Sequence, residues 1–292
     1  MAFDSIDQLE TALREQKYIA ERGLSTAIYL ALKLQRPLLL EGEAGVGKTE
    51  VAKVLGQLLD TELIRLQCYE GLDIHQAVYE WNYTRQLLHI RRLEAQGEQP
   101  SEAELFGPEF LLARPLLEAI QHNGDNIPVL LIDELDRSDE EFEAYLLEIL
   151  SDFQISIPEL GTISAKQPPV VIITSNRTRE VHDAIKRRCI YNWIEYPSFE
   201  KELKIVLTKT PGAPEALAQQ VTAFIQKLRE QDLYKLPGIA ETLDWANALM
   251  ALNQTALSVE VVNDTLGVVL KYHDDVQKVQ GEIATGILEE VV

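Results

Sequence analysis

Residues Gly42-Glu43-Ala44-Gly45-Val46-Gly47-Lys48-Thr49 place a glycine, four residues and then Gly-Lys-Thr in one short run. Glycines let the backbone curl so that successive N–H groups converge on an anion. A lysine adds a mobile positive charge, and a threonine hydroxyl is a hard oxygen donor for Mg²⁺. That chemistry is phosphate binding, and the spacing is that of a P-loop. The setting agrees with it. Pro37-Leu38-Leu39-Leu40 reads as a short buried strand before the loop, and Glu50-Val51-Ala52-Lys53-Val54-Leu55 as a helix after it. Residues Gly42 to Glu50 are therefore expected to line a nucleoside triphosphate. Lys48 is expected on the β- and γ-phosphates and Thr49 on Mg²⁺, with the positive helix end behind them. The alternative is a glycine-rich turn with no ligand, which would not require strand, loop and helix in this order.

Asp133-Glu134 follows the apolar run Val129-Leu130-Leu131-Ile132. Ligands of open α/β sheets bind beyond the carboxyl ends of the strands, so an acidic pair there faces the same side as the loop. Asp133 is expected to hold the Mg²⁺ shell and Glu134 to polarise the attacking water. Thr174-Ser175-Asn176 ends another apolar run, Val170-Val171-Ile172-Ile173, which brings the Asn176 amide near the same water. Arg187 and Arg188 stand just before a further strand. Their spacing leaves two readings open, contact with the nucleotide of a neighbouring subunit or a solvated pair of surface arginines.

These groups need a frame. Apolar strands at Pro37–Leu40, Leu63–Cys68, Pro128–Ile132, Val170–Thr174 and Ile190–Tyr196 alternate with helical patterns, which predicts an α/β fold with a parallel sheet between helices. A helix is expected over Ile19–Leu34. Another is expected over Glu140–Leu150, entered through a capping box of Ser138 and Glu141. Residues 69–126 form a mostly helical insert rich in aromatics and arginine, and residues 155–164 a hairpin around Gly161. Beyond Tyr196-Pro197 the pattern is helical to the end, broken at Pro211-Gly212, Pro237-Gly238 and near Asn253. A nucleotide-binding domain over 1–197 and a helical lid domain over 198–292 follow.

Composition narrows the function. The chain has 292 residues with 27 Lys and Arg against 47 Asp and Glu, a formal charge of −20 that disfavours nucleic acid and anionic membranes. Cys68 and Cys189 make neither a disulfide framework nor a zinc site and read as buried thiols. No stretch has membrane-spanning length, and Met1-Ala2-Phe3-Asp4 lacks a basic leader start, so a cytoplasmic protein is expected. His273-Asp274-Asp275 are adjacent in a helical pattern and cannot converge on a metal.

The P-loop, Asp133-Glu134, Asn176 and the arginine pair, in this order with a helical C-terminal part, resemble the AAA+ ATPases. Within them, the Arg65–Cys68 strand, the hairpin and the Thr174–Pro197 stretch look like the MoxR family. Tyr79-Glu80-Trp81-Asn82-Tyr83 and Pro237–Ala246 look like its CoxD-like branch. The resemblance covers nearly the whole chain. It implies a ring, usually a hexamer, with ATP and Mg²⁺ at subunit interfaces, Arg187 as the arginine finger and Arg188 as its adjacent partner. It also implies a chaperone-like remodeler acting beside a von Willebrand A-domain protein. The client would be a metalloenzyme under assembly, in the CoxD-like branch a molybdenum carbon monoxide dehydrogenase-type enzyme. The sequence departs from the AAA+ pattern where a lid helix usually begins with a sensor-2 arginine. Here Ala240 or its neighbours occupy that place, and either Lys235 substitutes or the lid senses nucleotide less directly.

Tyr79, Trp81 and Tyr83 lie close to Arg85, His89, Arg91 and Arg92 in the insert. Such a basic–aromatic cluster suits a client protein or a nucleic acid, although aromatics packed against the insert's own helices with charges in water are the favoured reading. An AAA+ motor or loader on nucleic acid is thus the alternative function. A non-hydrolytic switch is a third, disfavoured by the presence of Glu134 and Asn176.

Overall fold

The computed structural model describes residues 3–291. Met1 and Ala2, read above for a leader, and Val292 lie outside the described residues. In chain order the helices are α1 (Ile6–Glu15), α2 (Arg22–Leu34), α3 (Lys48–Leu58), α4 (Ile74–Ala77), α5 (Tyr83–Gln96), α6 (Glu102–Leu105), α7 (Pro115–Gln121), α8 (Glu140–Asp152), α9 (Asp183–Arg188), α10 (Phe199–Lys209), α11 (Glu215–Arg229), α12 (Ile239–Ala251), α13 (Val259–Val269), α14 (His273–Val279) and α15 (Glu282–Val291). The strands are β1 (Leu38–Gly42), β2 (Leu63–Gln67), β3 (Tyr79–Trp81), β4 (Leu111–Ala113), β5 (Val129–Asp133), β6 (Gln154–Ile157), β7 (Gly161–Ser164), β8 (Val170–Ser175) and β9 (Ile190–Ile194). Contacts divide the chain into two compact units. The first is Met1–Ala12, Glu21–Glu41 and Thr49–Trp193, and the second Leu13–Ala20, Gly42–Lys48 and Ile194–Val292.

The first unit is built on a sheet of order β2-β5-β8-β1-β9, with β2–β5, β5–β8 and β8–β1 paired in parallel. Strands β1 and β5 are buried along their whole length, which is why their sequences are continuous apolar runs rather than alternating ones. Strand β8 lies between β5 and β1 although it follows both in sequence. That crossover sets Asp133 beside Thr174 and Leu40 opposite Thr174 on the other side. The apolar core includes Leu39, Ile64, Leu130, Ile173, Leu146 and Ile185.

Three local expectations change. Helix α8 starts one residue later than the proposed capping box. The Ser138 hydroxyl turns inward and donates to Leu135 O at 2.8 Å, closing the short 3₁₀ turn Leu135–Arg137. Asp139 is the N-cap instead and accepts from Phe142 N at 2.8 Å. Helix α2 begins at Arg22, because Glu21 is extended and residues 18–20 are not helical. The insert, expected to be mostly helical, also holds two short strands. Strands β3 and β4 pair antiparallel, and the aromatic alternation of Tyr79 and Trp81 serves that strand. Trp81 is buried with its ring edge-on to Tyr79 and Phe106, so this part of the aromatic cluster packs inward. Tyr83, Leu87 and Leu88 of α5 are exposed.

The second unit contains helices α10–α15 around Val206, Leu217, Phe224, Trp245, Leu266 and Ile287. A buried polar network crosses it. Glu202 accepts both terminal nitrogens of Arg229 at 2.7 Å, with Gln226 at 2.7 Å and Thr242 at 2.6 Å. Arg229 also donates to Pro237 O and lies over the Tyr196 ring at 4.8 Å. The ion pair is almost fully enclosed, so each charge depends on the other being present. Asp275 accepts the backbone N–H groups of Tyr234 and Lys235, tying the approach to α12 to the start of α14.

Two tests follow from this packing. Glu202→Ala strands the Arg229 charge and is expected to destabilise the protein by about 3 kcal/mol in urea unfolding. A loss under about 1 kcal/mol would contradict the network's role. Burial pushes both the Cys68 and Cys189 thiols up to about 12, with carboxylates led by Asp133 reinforcing the rise at Cys68. A raised value leaves little thiolate, so both cysteines are expected to resist a thiol-selective reagent at pH 8 and to react once the chain is unfolded. Rapid labelling of the native protein would refute that.

Candidate nucleotide-hydrolysis site

At the carboxyl end of β5 the buried Asp133 collects donors from three elements. Thr49 Oγ1 of α3 and Thr174 Oγ1 of β8 donate to Oδ1 at 3.0 and 2.6 Å, and Arg65 Nη2 of β2 donates to Oδ2. The Thr174 hydroxyl also accepts Glu134 N at 2.9 Å, so one side chain sets both acidic residues. Glu134 itself takes a left-handed backbone, φ 56° and ψ 50°, which an ordinary residue adopts only when its surroundings enforce it. Its carboxylate accepts from Asn176 Nδ2 at 3.3 Å on Oε1, and from Gln67 Nε2 at 3.1 Å and Arg137 Nε at 2.9 Å on Oε2.

Asn176 is positioned by a residue that the sequence reading passed over. Asp136, almost wholly buried, accepts Asn176 N at 3.1 Å, Thr178 N at 2.8 Å and Thr178 Oγ1 at 2.6 Å. It fastens the loop after β8 to the turn after β5. Arg65, Gln67, Asp136, Arg137 and Thr174 were all missed as site residues. A usable signal existed for the first two, because Arg65 and Gln67 lie two apart on a strand and therefore share a face. Asp136 gave none, since an acid after Asp133-Glu134 reads as one more solvated charge.

Within the second unit the loop Gly42–Lys48 is tightly held. Lys48 Nζ donates to Gly42 O at 2.8 Å and Glu43 O at 2.6 Å, so the ammonium group spans the loop. Gly42 has φ +154°, and a Cβ there would stand 2.3 Å from Ile194 O. Gly45 has φ +78°, and its Cβ would meet Glu241 Oε2 at 2.9 Å and Gly238 Cα at 3.2 Å. Both positions exclude side chains for reasons of space as well as torsion. Gly45 O accepts the first N–H groups of α12, Ile239 N at 3.0 Å and Ala240 N at 3.3 Å. The beginning of α12 thus engages the loop through its backbone, at the place where the AAA+ pattern sets an arginine. Lys235 and Ala240 are exposed, and the Glu241 carboxylate accepts Gly238 N at 2.8 Å.

Thr49 and Asp133 fit a magnesium ion that also takes phosphate oxygens. Thr49 and Asp133 offer two hard oxygens 3.0 Å apart. Among the described residues there is no cluster of three or more His, Cys, Asp or Glu able to hold a metal alone. Such a sparse set suits Mg²⁺, which completes its shell with phosphate oxygens and water.

Arg187 and Arg188 end α9. Arg188 donates to Ser151 Oγ at 2.7 Å and Ala184 O at 3.0 Å. Arg187 is exposed, and among the described residues its guanidinium has no partner. Among the described residues no helix is long and apolar enough to cross a membrane.

The chain is similar to several known proteins. The chain is 23% identical over 203 residues to an uncharacterized protein of Staphylococcus aureus (strain bovine RF122 / ET3-1), spanning 67% of this chain and 69% of that one. Among solved structures, the RuvB Holliday junction branch migration motor of Thermotoga maritima matches with 18% identity and a TM-score of 0.46, over 91% of this chain and 72% of that one. A candidate ATPase of Cytophaga hutchinsonii matches with 15% identity and a TM-score of 0.49, over 98% and 93%. The family model for the AAA domain of the dynein-related subfamily matches residues 37–189. That span is more than half of the chain and runs from the strand before the P-loop through the arginine pair, so the chain belongs to the dynein-related subfamily of AAA proteins.

Proposed function

We propose that the chain is a Mg-ATP-hydrolysing remodeler of the MoxR type, with its α/β nucleotide-binding domain over 1–197 and its lid over 198–292. The observation that carries this reading is the set of donors around Asp133 and Glu134, which orients one carboxylate against Thr49 and the next beside Asn176. Lys48 and Thr49 are consecutive in the chain. The phosphate-binding loop is thus followed at once in sequence by the threonine that pairs with Asp133. Glu50, the last residue read as lining the nucleotide, is in the first turn of α3.

The roles divide by chemistry. Thr49 and Asp133 hold Mg²⁺, which when bound offsets the negative charge of the phosphate oxygens. Glu134 accepts the proton of the attacking water, and Asn176 fixes that carboxylate and the water beside it. Arg187 acts on the nucleotide of a neighbouring subunit in a ring, usually hexameric, with Arg188 as the holdfast next to it. The backbone link from α12 to Gly45 supports a lid that responds to the loop's conformation.

The partner readings are proposals of the same kind. The remodeler would work in the cytoplasm beside a von Willebrand A-domain protein on a metalloenzyme client, in the CoxD-like case a molybdenum carbon monoxide dehydrogenase-type enzyme. Helix α5 is the client-facing candidate, since Tyr83, Leu87 and Leu88 are 59–64% exposed there, beside Arg91 and Arg92. The formal charge of −20 weighs against the alternative of a motor on nucleic acid.

Glu134→Gln tests the core of the reading. The variant is expected to bind ATP with wild-type affinity in equilibrium titration while phosphate release falls at least about 100-fold. Wild-type turnover in this variant would remove Glu134 from the chemistry.

A further inference from the structure

Arg36 occupies a place that neither the motifs nor the hydrolysis site accounts for. Helix α2 closes on Gln35 in the left-handed conformation, φ 51°, and Arg36 N returns to Ala31 O at 3.1 Å. The cap turns the chain sharply into Pro37, whose carbonyl accepts Ile190 N at 2.8 Å. Arg36 is thereby set against the junction of α9 and β9, more than 150 residues away in sequence. Its guanidinium reaches three consecutive carbonyls there. Nη2 donates to Arg187 O at 2.7 Å, Nε to Arg188 O at 3.0 Å, and Nη2 also to Cys189 O at 3.5 Å.

The chemistry of that contact is specific. The last carbonyls of a helix have no partner within it and carry partial negative charge. A planar guanidinium offers donors in a fixed fork, so it can bind adjacent carbonyls at once and fix their direction, which an ammonium group cannot do as rigidly. The side chains on the same turn complete the pattern. Ile185 and Cys189 are buried, Lys186 is tied to Glu180 and Arg188 to Ser151 and Ala184, and Arg187 is exposed with no partner among the described residues. One arginine holds the backbone, a second holds the helix to α8, and the third is left presented.

We propose that Arg36 is the positioning residue for Arg187: it fixes the backbone of the α9 turn so that the Arg187 guanidinium points outward in one direction, toward the nucleotide of a neighbouring subunit. This rests on the trans role of Arg187 proposed above. Arg36 touches no reacting atom and acts only through the carbonyls of residues 187–189. Misplacing a catalytic group by about 1 Å costs on the order of 100-fold in rate, and that is the size of effect at stake.

The test uses Arg36→Gln and Arg36→Lys in the full chain, with Arg187→Ala and Glu134→Gln as reference variants. Arg36→Gln is expected to lower kcat for ATP about 100-fold with ATP affinity unchanged, and Arg36→Lys, with the charge but not the fork, to fall between it and wild type. Mixing then separates positioning from general damage. Arg36→Gln subunits have intact sites and misdirected arginines, whereas Glu134→Gln subunits have dead sites and intact arginines. Their mixture should hydrolyse ATP faster than the sum of the two alone, and a mixture of Arg36→Gln with Arg187→Ala should not. Wild-type kcat in Arg36→Gln would overturn the inference. So would failure of Glu134→Gln to rescue Arg36→Gln while it does rescue Arg187→Ala. If Arg187→Ala keeps full turnover, or is not rescued either, the trans reading itself fails and the role of Arg36 falls with it.

Discussion

A carboxylate buried at the end of a strand must be surrounded by donors or it will not stay there, and Asp133 is such a group. Removing it from water costs several kcal/mol, which only charge-assisted hydrogen bonds offset. Its partners come from α3, β8 and β2, through Thr49, Thr174 and Arg65. Each contact fixes the register of an element against β5. The strand order that puts β8 on one side of β5 and β2 on the other is therefore also the arrangement that supplies Asp133 Oδ1 with the Thr174 hydroxyl and Oδ2 with Arg65. Fold and site share one requirement. The same threonine that serves Asp133 sets the Glu134 backbone, and the left-handed turn there is held by Thr174 below and by Asn176, Gln67 and Arg137 around the carboxylate.

Close approach of backbones is the second constraint. Gly45 and Gly238 meet where neither could carry a side chain, and this allows Gly45 O to cap the exposed N–H groups of α12. The buried Glu202–Arg229 pair extends the arrangement inward, because Arg229 also holds Pro237 O one residue before Gly238. The loop is thus joined to the start of α12 by backbone hydrogen bonds rather than by a cation. That offers a physical reason why the start of α12 can dispense with an arginine.

Much of this was legible before any coordinates. Continuous apolar runs marked β1, β5 and β8, since strands buried on both faces need no alternation, and the P-loop and Asp133-Glu134 declared themselves by spacing. What escaped were groups whose meaning depends on partners distant in sequence. Asp136 is indistinguishable from a surface acid until its three donors from Asn176 and Thr178 are seen. Arg36 looks like an ordinary basic residue at a helix end until α9 is brought beside it. Ser138 misled because it matched a local capping pattern, while the 3₁₀ turn after Glu134 claimed its hydroxyl first. The strand at Tyr79–Trp81 was hidden by its brevity in a helical stretch. Local signals reported elements well and reported long-range polar partners hardly at all.

In the proposed function ATP joins subunits across a shared site, with Arg187 reaching the nucleotide held by the next chain. The most direct measurement is the mass in solution of Glu134→Gln, by light scattering, with and without Mg-ATP. A nucleotide-dependent shift from small species to a ring near six times 33.0 kDa is the expected result. A monomer under both conditions would leave Arg187 without a target and contradict the claim.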